Sequence, residues 1–343
     1  MKYLNKNIAI LIIGLLSLNV SVMGQDVQFS QFYSVPTFQN PAFVGAAHFD
    51  KFTVHQRIQW PSLDAKYLTS FASYDTYYKQ YSSGFGAYLV HDRVGSGAIV
   101  SNELQLQYAY EMHLSHVWAF RFGLQLGYVS RQLDGNMTFP GQFDDQGFLG
   151  GSSPIADVNA RNYFDASSGA VVYSNNFWAG LSSNHMNRPN TSFIDNVEPL
   201  PIRWTFITGY RIDIAKRRDG LAKSSDHSEV FSVTPTAHYK FQGKSDQIDL
   251  GLYIQYHAII AGLWYRGIPV KKLEKFHNNE SVVFLAGYKW PRISATYSYD
   301  WVTSTLSDVS TFGAHEINVT YILRPLPKQK PTKRMPCPKF YVH

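Results

Sequence analysis

The run Trp118-Ala119-Phe120-Arg121-Phe122-Gly123-Leu124-Gln125-Leu126-Gly127-Tyr128 shows the pattern that decides the fold. Large apolar side chains occupy every second position, and Ala, Arg, Gly or Gln stand between them. Because successive side chains of a β-strand point to opposite faces, the run predicts a strand with one apolar and one polar face. Its eleven residues match the length that a tilted strand needs to cross a bilayer, whereas soluble strands average about 5–6 residues.

The same alternation recurs along the chain and gives fourteen predicted strands, an even number as bacterial barrels require. The predicted strands are 51–59, 66–74, 83–91, 101–111, 116–128, 165–173, 176–183, 202–212, 230–241, 246–256, 258–266, 281–289, 292–300 and 314–323.

Two architectures use this alternation. A soluble sandwich turns the apolar face inward, whereas a transmembrane barrel turns it toward lipid and keeps a polar lumen. Three features favour the barrel. The runs are long, their polar face carries Arg, Gln, Asp and Gly together, and Tyr and Trp stand near the run ends. We therefore predict an all-β, antiparallel, up-and-down transmembrane barrel of about 14 strands, in which 51–323 form the barrel.

The overall composition agrees with an integral barrel. Charged residues make up 16% of the chain, below the roughly 25% typical of soluble domains. Aromatic residues make up 15%, which argues against disorder because such a chain can bury much apolar surface. The only long apolar run is at the N-terminus, so a helical membrane protein is not expected.

The first residues predict an export signal. Lys2 and Lys6 precede the apolar stretch Ile8–Val22, and small residues lead to an expected cleavage after Gly24. The alternative is a retained membrane anchor. We predict a signal peptide over 1–24 and an outer-membrane location with both termini on the periplasmic side.

The basic charge of the chain lies in its last segment. Residues 324–343 contain six basic side chains and no acid, so the body has no basic stripe that nucleic-acid binding would need. Five prolines keep this tail extended. It is either a solvated spacer or a periplasmic docking arm in which Lys333, Arg334, Lys339 and Phe340 contact a partner. Cys337 is the only cysteine, and we expect a buried or interface thiol.

The expected connections alternate between long external loops and short periplasmic turns. Connections 129–164, 184–201, 267–280 and 301–313 are predicted to be long and external. The exception is 213–229, a long segment on the predicted periplasmic side that contains Lys216, Arg217 and Arg218. Either one strand is miscounted there or this is a functional inner loop.

Residues 25–50 precede the first predicted strand and are unusually apolar for a linker. Phe29, Phe32 and Tyr33 stand among Gln, Ser and Asn, and Pro36 and Pro41 interrupt any ladder or helix. The segment is either a short extra strand or disordered leader, or a plug that folds into the periplasmic mouth or lumen. We favour the plug and expect it to help close the pore.

Three stretches go beyond composition. They are Gln28-Phe29-Ser30-Gln31-Phe32-Tyr33 with Asn40-Pro41-Ala42-Phe43-Val44-Gly45, Tyr297-Ser298-Tyr299-Asp300, and Gly313-Ala314-His315-Glu316-Ile317. Together they resemble the PorP/SprF family of outer-membrane proteins. Ala-His-Glu stands where the family pattern leads us to expect Ser-His-Glu.

The resemblance implies a component of the type IX secretion system. It implies work with a periplasmic ring lipoprotein and its partner, and export or surface attachment of a secreted protein or adhesin through that cargo's C-terminal domain. Gliding motility is associated with some members. We take Phe29, Phe32, Tyr33, Lys216, Arg217, Arg218, Lys333, Arg334, Lys339 and Phe340 as partner-binding candidates.

The sequence offers no pattern for catalysis, a cofactor or a metal. It has no phosphate loop and no GxSxG motif, and His315-Glu316 is followed by Val319 where a zinc-site histidine would stand. A barrel enzyme therefore rests on nothing specific. The favoured function is a non-enzymatic secretion subunit, and the alternative is a passive porin or nutrient channel.

Overall fold

The computed structural model describes residues 26–63, 67–95, 99–133, 143–144, 147–148, 160–193, 197–215, 231–273, 276–303 and 311–324. The predicted signal peptide and the tail beyond Arg324 lie outside these residues. Within them, the helices are single turns: α1 (Pro36–Gln39) and 3₁₀ turns at Pro41–Phe43 and Lys79–Tyr81. None of these turns has the length or hydropathy of a helical membrane span.

Fourteen strands form the sheet. They are β1 (Asp50–Gln59), β2 (Tyr67–Tyr78), β3 (Ser83–Val94), β4 (Ile99–His113), β5 (Ala119–Leu133), β6 (Arg161–Tyr173), β7 (Phe177–Asn184), β8 (Arg203–Tyr210, continued by Ile212–Ala215), β9 (Phe231–Gln242), β10 (Ser245–Tyr256), β11 (Ile259–Leu273), β12 (Phe276–Lys289), β13 (Ile293–Val302) and β14 (Ala314–Arg324). A two-residue pairing of Phe143–Asp144 with Gly147–Phe148 stands apart.

The sheet closes on itself. Each strand pairs antiparallel with its chain neighbours, and β1 pairs with β14 from Gln59↔Ala314 to Asp50↔Arg324. β8 is interrupted at Arg211, but both of its parts pair with β9. The prediction of a fourteen-stranded antiparallel barrel is confirmed, and each predicted strand overlaps an observed one.

The direction of the side chains is also the predicted one. On β5, Phe122, Leu124 and Leu126 are exposed, with Leu126 at 68%, while Arg121 and Gln125, which alternate with them, are buried. Exposed apolar side chains recur on the outer face of the strands, and buried polar ones on the inner face. Hydrocarbon around the barrel stabilises this arrangement, because the exposed apolar side chains of the strands then contact lipid rather than water.

Two rims define the barrel. We call the end at which β1 starts and β14 ends the Asp50 rim, and the opposite end the Gln59 rim. Turns after β6, β10 and β12 at the Asp50 rim are short, whereas 134–160, 185–202 and 303–313 at the Gln59 rim are long. The strands joined by the segment containing Lys216, Arg217 and Arg218 end at the Asp50 rim, and those three residues lie outside the described ranges.

One predicted loop is wrong. The interval 267–280 was expected to be a long external connection, but β11 continues to Leu273 and β12 starts at Phe276. Register shifts follow Arg266 and Ile268 in this ladder. The alternation breaks where the ladder becomes irregular, so period-two reading ends the strands too early.

Candidate functional site

The barrel interior is occupied by the chain's own N-terminal segment, Asp26–Phe49. Phe32, Ala42 and Val44 are fully buried there. The segment begins at the Gln59 rim, where Asp26 meets Arg203 at the start of β8. It ends at the Asp50 rim, where His48 meets Glu111 of β4. It therefore runs the length of the lumen.

This path separates the two described chain ends. Asp26 lies at the Gln59 rim and Arg324 at the Asp50 rim. The termini themselves lie outside the described residues, so their common periplasmic side stays a prediction. Which rim faces the periplasm stays a prediction.

A carboxylate of the last strand holds the main chain of the segment. Glu316 Oε1 accepts a hydrogen bond from the Ser30 N–H at 2.7 Å, and Oε2 accepts one from the Gln31 N–H at 2.8 Å. The Gln31 side chain donates to Ser298 Oγ at 3.1 Å and accepts from Thr296 Oγ1 at 2.7 Å. Hydrogen bonds to a charged acceptor are stronger than neutral ones, so Glu316 is the main anchor here.

Behind this anchor lies a buried ionic network. Arg57 pairs with Glu316 and, at 3.1 Å, with Asp300. Arg266 pairs with Asp300 at 3.3 Å and with Asp249 at 2.9 Å. All five side chains are at most 5% exposed. Buried charges need such pairing, because each would otherwise lose its hydration without replacement.

Ser30 sits at the centre of that network. Its hydroxyl donates to Asp300 and accepts from Arg57 Nη1 at 2.7 Å and Arg266 Nη1 at 2.8 Å. The stretches Gln28–Tyr33, Tyr297–Asp300 and Gly313–Ile317, which carry the resemblance, thus meet at one point in the lumen.

Aromatic contacts flank the ionic network. Phe32 stacks on His238 with ring centroids 4.9 Å apart, and Tyr33 stacks on Tyr253 at 4.2 Å. Phe29 packs edge-on against Phe71 at 5.8 Å. Phe29 and Phe32, two predicted partner contacts, are therefore buried inside the barrel, and Tyr33 is partly buried. Their role toward a partner stays a prediction.

The second half of the segment is seated in a groove of small residues. A Cβ added to Gly123 would lie 2.3 Å from the Ala42 nitrogen, and one on Gly84 would lie 2.1 Å from the Val44 oxygen. Gly45 has φ +67°, a left-handed conformation that favours glycine. Glycines in the wall therefore let the segment's backbone approach closely.

Polar side chains of the wall hold this half as well. Arg121 donates to the carbonyls of Ala42, at 2.8 Å, and Val44. Asn40 Oδ1 accepts from the Ala42 N–H at 2.9 Å, while its Nδ2 donates to Ala170 O at 3.2 Å and Leu181 O at 3.1 Å. Arg121 of the wall thus satisfies two backbone carbonyls of the segment, while Asn40 of the segment bonds to its own backbone and to the wall.

An ionic latch secures the start of the segment at the Gln59 rim. Asp26 Oδ2 pairs with His185 Nε2 at 2.8 Å and with Arg203 at 3.0 Å, and His185 Nδ1 pairs with Asp165 at 2.9 Å. Glu103 and Lys240 lie close enough to act on it electrostatically. We call Asp26, His185, Asp165 and Arg203 the rim latch.

The latch favours its charged forms. Burial alone would lower the pKa of His185, but the charges of Asp26 and Asp165 and the hydrogen bonds to them raise it to about 10. Burial alone would raise the pKa of Asp26, but His185 and Arg203 hold it well below its usual range. At neutral pH a protonated His185 therefore faces an ionised Asp26.

Cavities remain on either side of the segment's first half. One of about 80 Å³ is lined by Tyr33 and Ser34 together with Arg211 and Lys289, toward the Asp50 rim. Another of about 20 Å³ is lined by Asp26, Arg203 and the β9–β10 turn, toward the Gln59 rim. The first half of the segment stands between them.

Several predicted site residues lie outside the described ranges. Neither the basic loop (Lys216, Arg217 and Arg218) nor the tail residues Lys333, Arg334, Lys339 and Phe340 can be located. Within the described ranges, no group of three or more His, Cys, Asp and Glu side chains is arranged to hold a metal ion.

The sequence reasoning missed the lumen network. Glu316 and Asp300 were quoted only for the resemblance, and Arg57, Arg266 and His185 were given no role. One signal was available: an arginine on the inward face of a membrane-crossing strand requires a buried partner. Arg57 and Arg266 stand at such positions.

Several solved structures of outer-membrane proteins are similar to this chain in fold. Omp33 of Acinetobacter baumannii has 8% identity and a TM-score of 0.44, with 81% of this chain and 100% of that chain covered. The toluene transporter TbuX of Ralstonia pickettii has 10% identity and a TM-score of 0.45, with 84% and 91% covered. A FadL homologue of Pseudomonas aeruginosa has 10% identity and a TM-score of 0.44, with 85% and 94% covered. A comparison with curated proteins finds no match.

The closed sheet, its apolar exterior and its polar interior define a β-barrel of the outer-membrane class. The family comparison then gives the assignment: residues 21–321 match the family described as "Type IX secretion system membrane protein PorP/SprF". The chain belongs to the PorP/SprF family. The resemblance drawn from the three sequence motifs is confirmed.

Proposed function

We propose that this PorP/SprF protein is a non-enzymatic outer-membrane subunit that supports export or surface attachment of secreted proteins or adhesins. It does so by binding the cargo's C-terminal domain and a periplasmic ring lipoprotein with its partner. The observation that supports this proposal is the occupied lumen: among the described residues, Asp26–Phe49 is buried inside the barrel between two small cavities, which argues against a passive channel. A protein of this kind acts through its surfaces and rims.

The proposed orientation puts the Gln59 rim outside and the Asp50 rim in the periplasm. Long connections are typical of the external end of such barrels, and they join strands at the Gln59 rim. The C-terminal end of β14 then points into the periplasm, together with the strand ends around 216–230. Asp26, the first described residue, then faces the outer mouth from within the lumen.

The periplasmic contacts proposed for this subunit are basic. Lys216, Arg217 and Arg218 and the tail residues Lys333, Arg334 and Lys339 would meet acidic groups of the ring partner, with Phe340 as an apolar anchor. Charge complementarity of this kind guides association and falls with added salt.

A pull-down from native envelopes with an affinity-tagged copy tests the partner assignment. The full chain should retain ring and cargo proteins, and a variant ending at Arg324 should retain the cargo but lose the ring. Replacing Lys333, Arg334 and Lys339 by Gln is the matched charge control. Recovery of the same ring proteins by the shortened variant would exclude the tail as their contact.

Planar bilayers test the closed pore that separates this function from the alternative, a passive porin. The full chain should be silent, and deletion of 26–44 should raise the conductance. Steady conductance of the full chain would favour the porin, and unchanged conductance of a folded deletion variant would rule out the plug.

A further inference from the structure

We propose that the first part of the N-terminal segment, Asp26–Ser34, is a releasable arm that occupies a binding site for a bent polypeptide segment without charged side chains beyond its first residue, while Pro36–Phe49 is a fixed wedge. The inference does not depend on the identity of the secretion partners. The barrel holds the two parts of the segment by different kinds of contact.

Close backbone contacts with the wall fix the wedge in place. Wall glycines 84 and 123 leave no room for a Cβ beside its backbone. Arg121 holds its carbonyls, and Asn40 spans β6 and β7 with two hydrogen bonds. These contacts fit one backbone path, which Pro36 and Pro41 stiffen further.

The arm is held differently. Glu316 captures it through two consecutive main-chain N–H groups, at 2.7 and 2.8 Å. Successive N–H groups of an extended strand point to opposite sides, so this pair exists because the chain bends at Ser30 and turns over Gln31–Ser34, where the Ser34 N–H bonds to the Gln31 carbonyl. Glu316 therefore recognises a backbone shape rather than particular side chains. Between Val27 and Ser34 the arm carries no charged side chain, while the wall supplies the ions.

The two cavities beside the arm also indicate that another polypeptide segment could replace it. Tyr33 and Ser34 line the cavity toward the Asp50 rim, and Asp26 lines the one toward the Gln59 rim. Moving only the arm would join the two cavities into one passage beside the wedge. Glu316 and Asp300 would line that passage and could receive the main chain of another segment.

The chemistry of the arm defines what fits. Phe32 and Tyr33 fill aromatic pockets formed by His238 and Tyr253, and Gln31 bonds to wall hydroxyls. A competing segment would carry glutamine or serine beside aromatic residues, and a bend that presents two backbone N–H groups to Glu316. Such a segment gains affinity from its charge-assisted main-chain hydrogen bonds and specificity from the aromatic pockets.

The experiment uses a variant lacking 26–34, in planar bilayers, with the synthetic peptide Asp-Val-Gln-Phe-Ser-Gln-Phe-Tyr-Ser added in solution. The variant should conduct and the peptide should close it. A peptide methylated at the two backbone nitrogens that correspond to Ser30 and Gln31 keeps all side chains but offers no N–H to Glu316. It should block about tenfold less well or worse, the loss expected for hydrogen bonds to a charged acceptor.

Two results would overturn parts of the proposal. A folded deletion variant without conductance would show that the arm is no gate, and equal block by both peptides would overturn the role of Glu316. Should the deletion variant fail to fold, full-length Glu316→Gln replaces it: its conductance should rise above that of the parent chain. Unchanged conductance of that folded variant would overturn the proposal.

Discussion

Glu316 on the last strand accepts a hydrogen bond from the backbone N–H of Ser30, 286 residues earlier in the chain. The same carboxylate accepts from the Gln31 N–H and pairs with Arg57 of β1. One buried side chain therefore joins the N-terminal segment, the first strand and the last strand. Its removal should affect all three.

Glu316→Ala should destabilise the folded barrel by roughly 3–5 kcal/mol, the usual cost of leaving one partner of a buried ion pair alone. The remaining Arg57–Asp300 pair should keep the loss near the lower end of that range. Thermal unfolding in detergent, followed by heat-modifiable gel migration, measures it. Glu280→Gln, at a half-exposed position, is the control and should change stability little.

Gly123→Ala should displace the wedge, because its Cβ would overlap backbone atoms of Pro41 and Ala42 at 2.3–2.6 Å. The matched control is Gly180→Ala, whose Cβ would meet only side-chain atoms at 3.0–3.2 Å. Limited proteolysis should cleave between residues 36 and 49 in the first variant and spare the second. Equal protection in both would mean that the groove tolerates more volume than its geometry indicates.

The rim latch should open in alkali. Because the pKa of His185 in the folded protein, about 10, lies above its ordinary value of 6.5, its stabilisation is complete below about 6.5 and is lost as the pH rises through about 10. Thiol labelling of a Gln28→Cys variant, in a Cys337→Ser background, should accelerate in that upper range. A Ser115→Cys variant in the exposed β4–β5 turn corrects for thiol ionisation.

His185→Gln removes the titrating group. Its corrected labelling at position 28 should be fast already at pH 7 and should not change further up to pH 11. A corrected rate that stayed low and flat in the parent chain across the same range would show that the latch does not hold the arm.

Leu126→Arg should test the lipid-facing surface. Leu126 is exposed in the middle of β5, and an arginine at the bilayer midplane costs about 2–4 kcal/mol in such barrels. Ser130→Arg stands on the same face, nearer the Gln59 rim, where the cost is about 0–1 kcal/mol. Unfolding in lipid vesicles should separate the two variants, and equal stabilities would contradict a membrane exterior at Leu126.

The strands could be predicted from the sequence because one face of each meets lipid. That environment forces an alternation that persists over a whole strand, as in Trp118–Tyr128. The extension of β11 to Leu273 could not be found in this way, because register shifts interrupt the period there. The alternation also gives no information on where an unpaired segment lies.

The lumen site was harder to predict from the sequence than the strands were. Ser30, Asp300 and Glu316 are far apart in the chain and come together only when the sheet closes. The aromatic content of residues 25–50 indicated burial, but which groups receive the segment depends on strand register. The inward arginines Arg57 and Arg266 were the available clue, and only the pairing of the strands supplies their partners.

The pairing of Arg57 with Glu316 also bears on the order of folding. These residues face each other across the seam between β1 and β14, which forms only when the final strand is in place. The docking site for Ser30 and Gln31 is therefore incomplete until the cylinder has closed. The seating of Ser30 and Gln31 should therefore follow closure, and the rate of lumen sealing can be followed separately from strand assembly.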